Sequence, residues 1–244
     1  ELLYSAFFVT DHTTHFYLLG GPDFIVGPDA PKEDRNILGV IRKVGLETGK
    51  AVIACRSRNH DLIKKLGGRG VHPCGALPGG WSIPVTPEIQ AEAQLAARQN
   101  IEFARFTLEV FHSIVLGNPA YLDLVLSDLY LHRTYSMGTV DARGALNLYA
   151  GQIRVVDPEG VPFAQYDPSD YLEHIAEHVE PWTYMKFPFL RKVGWKGLVD
   201  GVESGVYTAT PLSRLNVADR MATPLAQAEF ERFYETFGGL GKGP

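Results

Sequence analysis

The feature that most constrains this fold is a long apolar stripe between residues 86 and 119. Thr86 is suited to cap the N-terminus of a helix and Pro87 to begin its first turn. Gly117 and Pro119 then end the helix. Apolar residues recur every three or four positions, as on one face of an α-helix: Ala93, Ala97, Ile101, Ala104, Leu108, Phe111 and Val115. Others widen this face: Phe103, Phe106, Val110 and Ile114. The sequence therefore predicts one long helix that is buried on more than one side.

Caps and helix breakers predict three more helices along the chain. They cover roughly residues 2–19, stopped by Gly20-Gly21-Pro22; Leu46 to Leu66, closed by Gly67 and Gly68; and about Pro224 to Phe237. Together with the long helix they make the expected architecture helix-dominated.

A change of periodicity near residue 145 predicts a small β-hairpin region at about 145–166. Apolar and polar residues alternate there, and Asp157-Pro158-Glu159-Gly160 has the residues of a type I turn. After it, Asp167-Pro168 predicts another helix that ends before Pro181. The segment from Trp182 to Val217 is predicted to be loop-rich and aromatic. The expected fold class is α+β.

The composition excludes several classes of protein. Lys and Arg number 23 and Asp and Glu 28, which gives a net charge of −5 and argues against a nucleic-acid binder. No stretch approaches the roughly 20 consecutive apolar residues of a membrane-spanning helix. The only two cysteines, Cys55 and Cys74, exclude a disulfide scaffold and predict a reducing, cytoplasmic location. The chain opens on residues typical of a helix interior and ends in a glycine-rich loop, so we expect a piece of a longer protein.

Two short motifs resemble a zinc site and a phosphate-binding loop. Residues 174–178 match the H-x-x-E-H pattern of some zinc proteases, but the stretch also reads as an amphipathic helix with His174, Glu177 and His178 on its solvated face, which we favour. The segment Gly238 to Gly243 is glycine-rich like a phosphate-binding loop, but glycine follows Lys242 where Ser or Thr is required. We predict neither a zinc site nor a nucleotide site.

Two other clusters carry more information. Asp23 follows Gly20-Gly21-Pro22 directly, so it either caps a helix or points off a helix end into a cavity. The second cluster places many glycines around one histidine, from Gly67 through His72 to Gly80. Backbone without side chains approaches its neighbours closely, and we expect a functional loop there.

These clusters resemble the middle of the large, nickel-bearing subunit of [NiFe] hydrogenases, with the soluble, cytoplasmic branch the most similar. The family pattern H-x-x-H-F-x-x-L-x-x-x-D-F is matched by residues 12–24, and G-G-[RK]-x-x-H-P followed by P-G-G by residues 67–80. The similarity continues in collinear order through residues 147–157, 170–172, 180–188, 211–217 and 223–226. The resemblance implies a hydrogenase large-subunit-like α+β fold, with the chain as the central part of a single domain.

The resemblance also implies an activity and its cofactors. Members of the family cleave dihydrogen heterolytically at a Ni–Fe centre held by two C-x-x-C motifs, and pass the electrons to an iron–sulfur small subunit. Neither motif is present here, so the ligands of the metals are expected outside this chain and the chain alone is expected to be inactive. The implied partners are the iron–sulfur small subunit, which would cover a large apolar surface, and further electron-transfer subunits.

The resemblance also implies roles for individual residues. Asp23 is expected to orient a catalytic arginine that lies outside this chain, and His72 and Arg69 to face the iron–sulfur cluster of the partner. The loop that carries them includes Gly67, Gly68, Pro73, Gly79 and Gly80. The sequence departs from the residues that are common in the family at Asp11, Thr13, Thr14 and Cys74. These departures keep two alternatives open: a metal-free homologue in the quinone-reducing respiratory complex, and a non-catalytic scaffold fragment.

Overall fold

A computed structural model describes residues 1–129 and 131–237 and shows two compact units, Glu1–Leu122 and Asp123–Pro244. The segment Gly238 to Gly243 lies outside the described residues. Helices in chain order are α1 Leu2–Thr14, α2 Ile37–Val44, α3 Leu46–Gly67, α4 Pro87–Phe111, α5 Pro119–Leu126, α6 Tyr171–His174, α7 Pro211–Val217 and α8 Pro224–Phe237. Strands are β1 Ala76–Leu77, β2 Gly80–Trp81, β3 Tyr135–Val140, β4 Gln152–Val156, β5 Pro162–Tyr166, β6 Ile175–Val179, β7 Lys186–Leu190 and β8 Tyr207–Thr208. The α+β class is confirmed; whether both units belong to one domain of a longer protein stays a prediction.

The first unit is built from helices α1 to α4. One buried cluster joins α1, α3 and α4 around Leu62, Leu66 and Ala96. A second cluster forms around Tyr17, Val40 and Val52, where the segment that follows α1 packs against α2 and α3. Burying these apolar side chains at about 25 cal/mol per Å² is the main stabilising contribution to the unit.

The first helix does not stop at Gly20-Gly21-Pro22, so that prediction is wrong. The chain continues past α1 through two π-helical segments, His15–Gly20 and Pro22–Val26, and ends at Gly27 with a φ of 114°. Gly21 is helical and buried, and a Cβ built on it would lie 3.4 Å from side-chain atoms of Ile25 and Val40. The glycine therefore allows close packing within a helical segment, and the wider π-helical turns accommodate Pro22, which lacks an N–H.

The long helix begins as predicted. Thr86 accepts a hydrogen bond from the amide of Ile89 at 3.3 Å, and π-helical residues His112–Leu116 extend α4 toward Gly117. Its predicted buried face is only partly right, because the middle of the stripe is exposed, with Ile101 50% accessible. The covered side carries Ala93 and Ala96 in one cluster and Phe103, Val110 and Ile114 in the other, and of these only Ala96 lies outside the predicted face.

The second unit centres on a four-stranded sheet with the order β5-β4-β3-β8. Strands β3, β4 and β5 pair antiparallel, whereas β8 runs parallel to β3. The turn Asp157–Gly160 joins β4 to β5 and is closed by a bond of 2.9 Å from the amide of Gly160 to the carbonyl of Asp157. Val155 and Tyr166 pack on one side of this sheet, and Val140 and Val156 pack with α7 and α8 on the other.

The helix predicted after Asp167-Pro168 is wrong beyond its first turns. A 3₁₀ turn and α6 end at His174, and residues 175–179 then form strand β6, which pairs antiparallel with β7. Glu177 accepts a hydrogen bond from Lys186 across the hairpin at 3.0 Å. The ring of Trp195 stacks on His178 at 4.5 Å. The pairing with β7 and the covering ring of Trp195 favour strand over helix at a sequence whose apolar spacing fits a helix.

Candidate functional site

Asp23 lies in the second π-helical segment of the first unit. Its side chain is exposed and forms no hydrogen bond to a described residue. Its backbone carbonyl accepts a hydrogen bond from the Tyr121 hydroxyl at 3.4 Å, and the Tyr121 ring packs edge-on against Phe24 at 5.7 Å. Asp23 is thus neither a cap nor at a free helix end: it is held on a braced turn with its carboxylate available to solvent or to another polypeptide.

The glycine loop is packed against itself. The amide of Cys74 donates to the carbonyl of Gly67 at 2.9 Å, and Trp81 Nε1 donates to the carbonyl of Leu66 at 2.8 Å. A Cβ on Gly67 would lie 2.6 Å from Pro73 Cβ, and one on Gly75 would lie 2.7 Å from the Trp81 ring. These two glycines are therefore required by close approach inside the loop and do not by themselves indicate an external ligand.

Two other glycines of the loop adopt a positive φ, which side chains disfavour. Gly68 adopts a φ of 79° as the left-handed residue that follows α3, which confirms the predicted cap. Gly79 has a φ of 81° in the turn between β1 and β2, and Gly80 begins β2. The loop is a small braced hairpin attached to the end of α3.

His72 is the strained residue of this loop. Its φ of 52° makes it the one non-glycine residue with a positive φ among the described residues. It is exposed, as is Arg69 three residues earlier, and neither side chain forms a hydrogen bond or ion pair with the described part of the chain. Strain retained at an exposed position indicates a role outside local packing, which keeps the proposal that this loop contacts a partner.

A buried polar network between α3 and α4 was missed by sequence reasoning. Asn59 is fully buried and exchanges two hydrogen bonds with Asn100. Asn100 Nδ2 donates to Asn59 Oδ1 at 2.8 Å, and Asn59 Nδ2 donates to Asn100 Oδ1 at 3.1 Å. The Cys55 thiol donates to Asn100 Oδ1 at 3.7 Å, and burial raises its pKa. An asparagine on the apolar side of a predicted helix is the signal that could have revealed this network.

The described residues do not form a metal site. No group of three or more His, Cys, Asp and Glu side chains converges within the described ranges. Cys55 is buried on α3 and Cys74 is exposed in the glycine loop, whereas an iron–sulfur cluster is held by about four thiolates. The pair of His one helical turn apart that a zinc protease needs is also lost, because His174 ends α6 and His178 lies on β6. The donors within the described ranges therefore fit neither an iron–sulfur cluster nor a zinc ion.

Comparison with known proteins points to hydrogenases. The chain is 39% identical over 235 residues to an iron-sulfur subunit of the F420-non-reducing hydrogenase of Archaeoglobus profundus, covering 96% of this chain and 48% of that protein. It is 31% identical over 240 residues to the beta subunit of the NAD-reducing hydrogenase HoxS of Cupriavidus necator, covering 96% and 47%. The chain thus spans about half the length of the curated relatives it matches. No protein-family model matches it.

The fold agrees with this similarity. A chain in the crystal structure of an NAD+-reducing [NiFe]-hydrogenase in the H2-reduced state superposes with a TM-score of 0.84 at 27% identity, over 99% of this chain and 51% of that one. The chain is therefore similar to subunits of hydrogenases in both sequence and structure. Within the described residues, no helix combines the length and the apolar character needed to cross a membrane.

The comparisons correct the identification of the subunit. The Archaeoglobus relative is named an iron-sulfur subunit, which contradicts the assignment of this chain to the large, nickel-bearing subunit. The metal-free respiratory homologue and the scaffold fragment receive no support either, since the names and the matched structure are those of hydrogenases. The expectation of a separate partner in the form of an iron–sulfur small subunit also loses its basis. What stands is the coarser statement of similarity to a hydrogenase subunit.

Proposed function

We propose that this chain is part of a subunit of a hydrogenase complex, an oxidoreductase that interconverts dihydrogen with two protons and two electrons. The observation that carries the proposal is the superposition of 99% of the chain on a hydrogenase chain with a TM-score of 0.84 at 27% identity. Identity of 39% to a hydrogenase subunit along nearly the same residues supports it.

The chain contributes framework and surface rather than metal ligands. The donors for any metal cluster of the complex come from outside these residues, because Cys55 is engaged with Asn100 and Cys74 stands alone in an exposed loop. Soft thiolate donors suit both iron–sulfur and nickel–iron chemistry, so the remaining half of a full-length protein, or another subunit, supplies them.

Asp23 offers a carboxylate to a cationic or N–H donor from outside the described residues. The Tyr121 hydroxyl and the Phe24 ring hold the turn that carries it. A carboxylate with no partner of its own can form a short, charge-assisted hydrogen bond that orients an arginine. Asp23 is then a positioning residue for a group that is supplied by the rest of the complex.

The glycine loop forms a contact with another subunit through His72 and Arg69. Both side chains are exposed on a hairpin that internal hydrogen bonds keep rigid. A pre-organised loop loses little conformational entropy when it binds. Arg69 adds a positive charge, so the complementary surface is expected to be acidic near this loop.

Anaerobic purification of the complex that contains the full-length protein tests the proposal. Benzyl viologen serves as the electron acceptor, since the relatives' names differ in what they reduce. We expect viologen reduction under dihydrogen and none under argon. Absence of dihydrogen-dependent reduction in complex that has been loaded with its metals would contradict the hydrogenase assignment.

A charge-neutral variant tests the role of Asp23. We expect Asp23→Asn to lower turnover about tenfold or more while the complex still assembles, because it removes the charge but keeps the shape. Asp29→Asn, in the exposed loop just beyond the π-helical segment, is the matched control and should leave turnover unchanged. Equal turnover in both variants would remove Asp23 from the mechanism.

A further inference from the structure

An open apolar groove of about 300 Å³ crosses the first unit. It lies between the first π-helical segment, α2 and α3, and its floor is formed by Tyr17, Val40 and Val52, which are buried. At its edge, Ile53 projects from α3 with 63% of its surface accessible. Its walls are mostly apolar, and apolar surface in contact with water is unfavourable.

One end of the groove is polar and cationic. Arg56, Ser57 and His60 line it, and no Asp or Glu belongs to the lining. The Arg56 side chain donates to Thr14 Oγ1 at 3.3 Å and forms no ion pair with a described residue. The groove is therefore apolar along its length and suited to a carboxylate at this end.

The packing of α3 against α2 fixes the width of the groove. Gly49 is buried, and a Cβ built on it would lie 3.0 Å from Ile41 Cγ1. This close approach holds the two helices together below the groove while Ile53 stays uncovered above it. The shape is thus a trough between packed helices, which is the arrangement that receives the ridge of a third helix.

We propose that this groove docks a segment of the same polypeptide from outside residues 1–244, carrying aliphatic side chains and, at the end facing Arg56, a carboxylate. The curated relatives are about twice as long as this chain, so a protein of that length supplies such a segment. Docking removes the exposed face of Ile53 from water and gives Arg56 an ionic partner. A separate subunit or a small amphiphilic anion would be a different occupant.

Photocrosslinking identifies the occupant directly. The photoreactive amino acid p-benzoylphenylalanine replaces the residue at position 53 in the full-length protein within its complex, and the crosslinked peptides are sequenced. We expect crosslinks to a peptide of the same polypeptide outside residues 1–244 that contains aliphatic residues and an acidic one. Crosslinks to another subunit, or only to residues 1–244, would overturn the proposal.

Alkylation of a cysteine measures the protection. In the folded full-length protein we expect Ile53→Cys to be alkylated about tenfold or more slowly than Ala54→Cys, its exposed neighbour outside the groove. Arg56→Gln should speed alkylation of Ile53→Cys, and Arg56→Lys should restore protection. Equal rates for positions 53 and 54 would show the groove to be open. Neither readout involves turnover, so these results are independent of whether the complex is a hydrogenase.

Discussion

Adding one methyl group at Gly67 tests whether the glycine loop is shaped by its own packing. Gly67 is the last residue of α3 and is buried. A Cβ there would lie 2.6 Å from Pro73 Cβ and 2.9 Å from Leu3 Cδ1, whereas carbon atoms normally pack at about 3.5–4.0 Å. Gly67→Ala therefore forces the loop away from α1 and α3.

The magnitude follows from two opposing effects. Overpacking of this kind costs about 1–3 kcal/mol. Replacing a helical glycine by alanine returns about 0.5–1 kcal/mol by reducing the freedom of the unfolded chain. The net expectation for Gly67→Ala is a loss of about 1 kcal/mol in the free energy of unfolding, and at most about 2.5 kcal/mol.

Urea unfolding followed by tryptophan fluorescence provides the assay. Trp81 is the only tryptophan of the first unit, and its indole is bonded to Leu66, next to the substitution. Gly20→Ala is the control, because the atoms nearest to a Cβ built on Gly20, His15 O and Phe24 Cδ2, lie at 3.6 and 4.0 Å, so it should be neutral or stabilising. If Gly67→Ala is as stable as Gly20→Ala, the explanation of this glycine by internal packing is refuted.

Three further results are expected. Thr86→Ala should lower the stability of the protein by about 1 kcal/mol in urea unfolding, because it removes the cap of α4. It should also raise the pKa of Glu88 in an NMR titration, because the Thr86 hydroxyl hydrogen bond lowers that pKa. An unchanged pKa would contradict the contact between Thr86 and Glu88. Burial raises the pKa of Tyr234 to about 12, so its contribution to stability is complete below pH 10 and is lost as the pH rises toward 12. The alkaline fall in melting temperature should therefore be smaller in Tyr234→Phe, and an identical fall would count against this burial. His72→Gly should stabilise the protein by about 1 kcal/mol, because glycine adopts a positive φ without strain. The same substitution should weaken binding to the neighbouring subunit in a pull-down titration. Unchanged binding would show that His72 does not contact a partner.

Local signals were sufficient where a helix boundary depends on its own residues. Thr86 caps α4 and Gly68 follows α3 as the sequence predicts, since caps and left-handed glycines act within one turn. The segment Gly20-Gly21-Pro22 failed as a helix stop because tertiary packing of Gly21 against Val40 favours a continued, π-helical path. Sequence spacing cannot reveal that contact.

Strand β6 was missed for a related reason. Residues 171–179 have apolar positions that fit a helix, and residues 171–174 do form helix α6. Pairing with β7 and the covering ring of Trp195 make residues 175–179 extended instead. The glycines around His72 predict a functional loop, but the two glycines that pack most tightly there fit against Pro73 and Trp81. The strained φ of His72 is the stronger indication, and it is visible only in the folded backbone.

The central claim, that this chain belongs to a complex that activates dihydrogen, is tested most directly by isotope exchange. The purified, metal-loaded complex is placed under deuterium gas in ordinary water without an electron acceptor, and the gas phase is followed by mass spectrometry. We predict the release of HD and H2, because heterolytic cleavage of D2 lets its atoms exchange with solvent protons. A gas phase that stays D2, in complex whose metals and subunits are all present, would contradict the account.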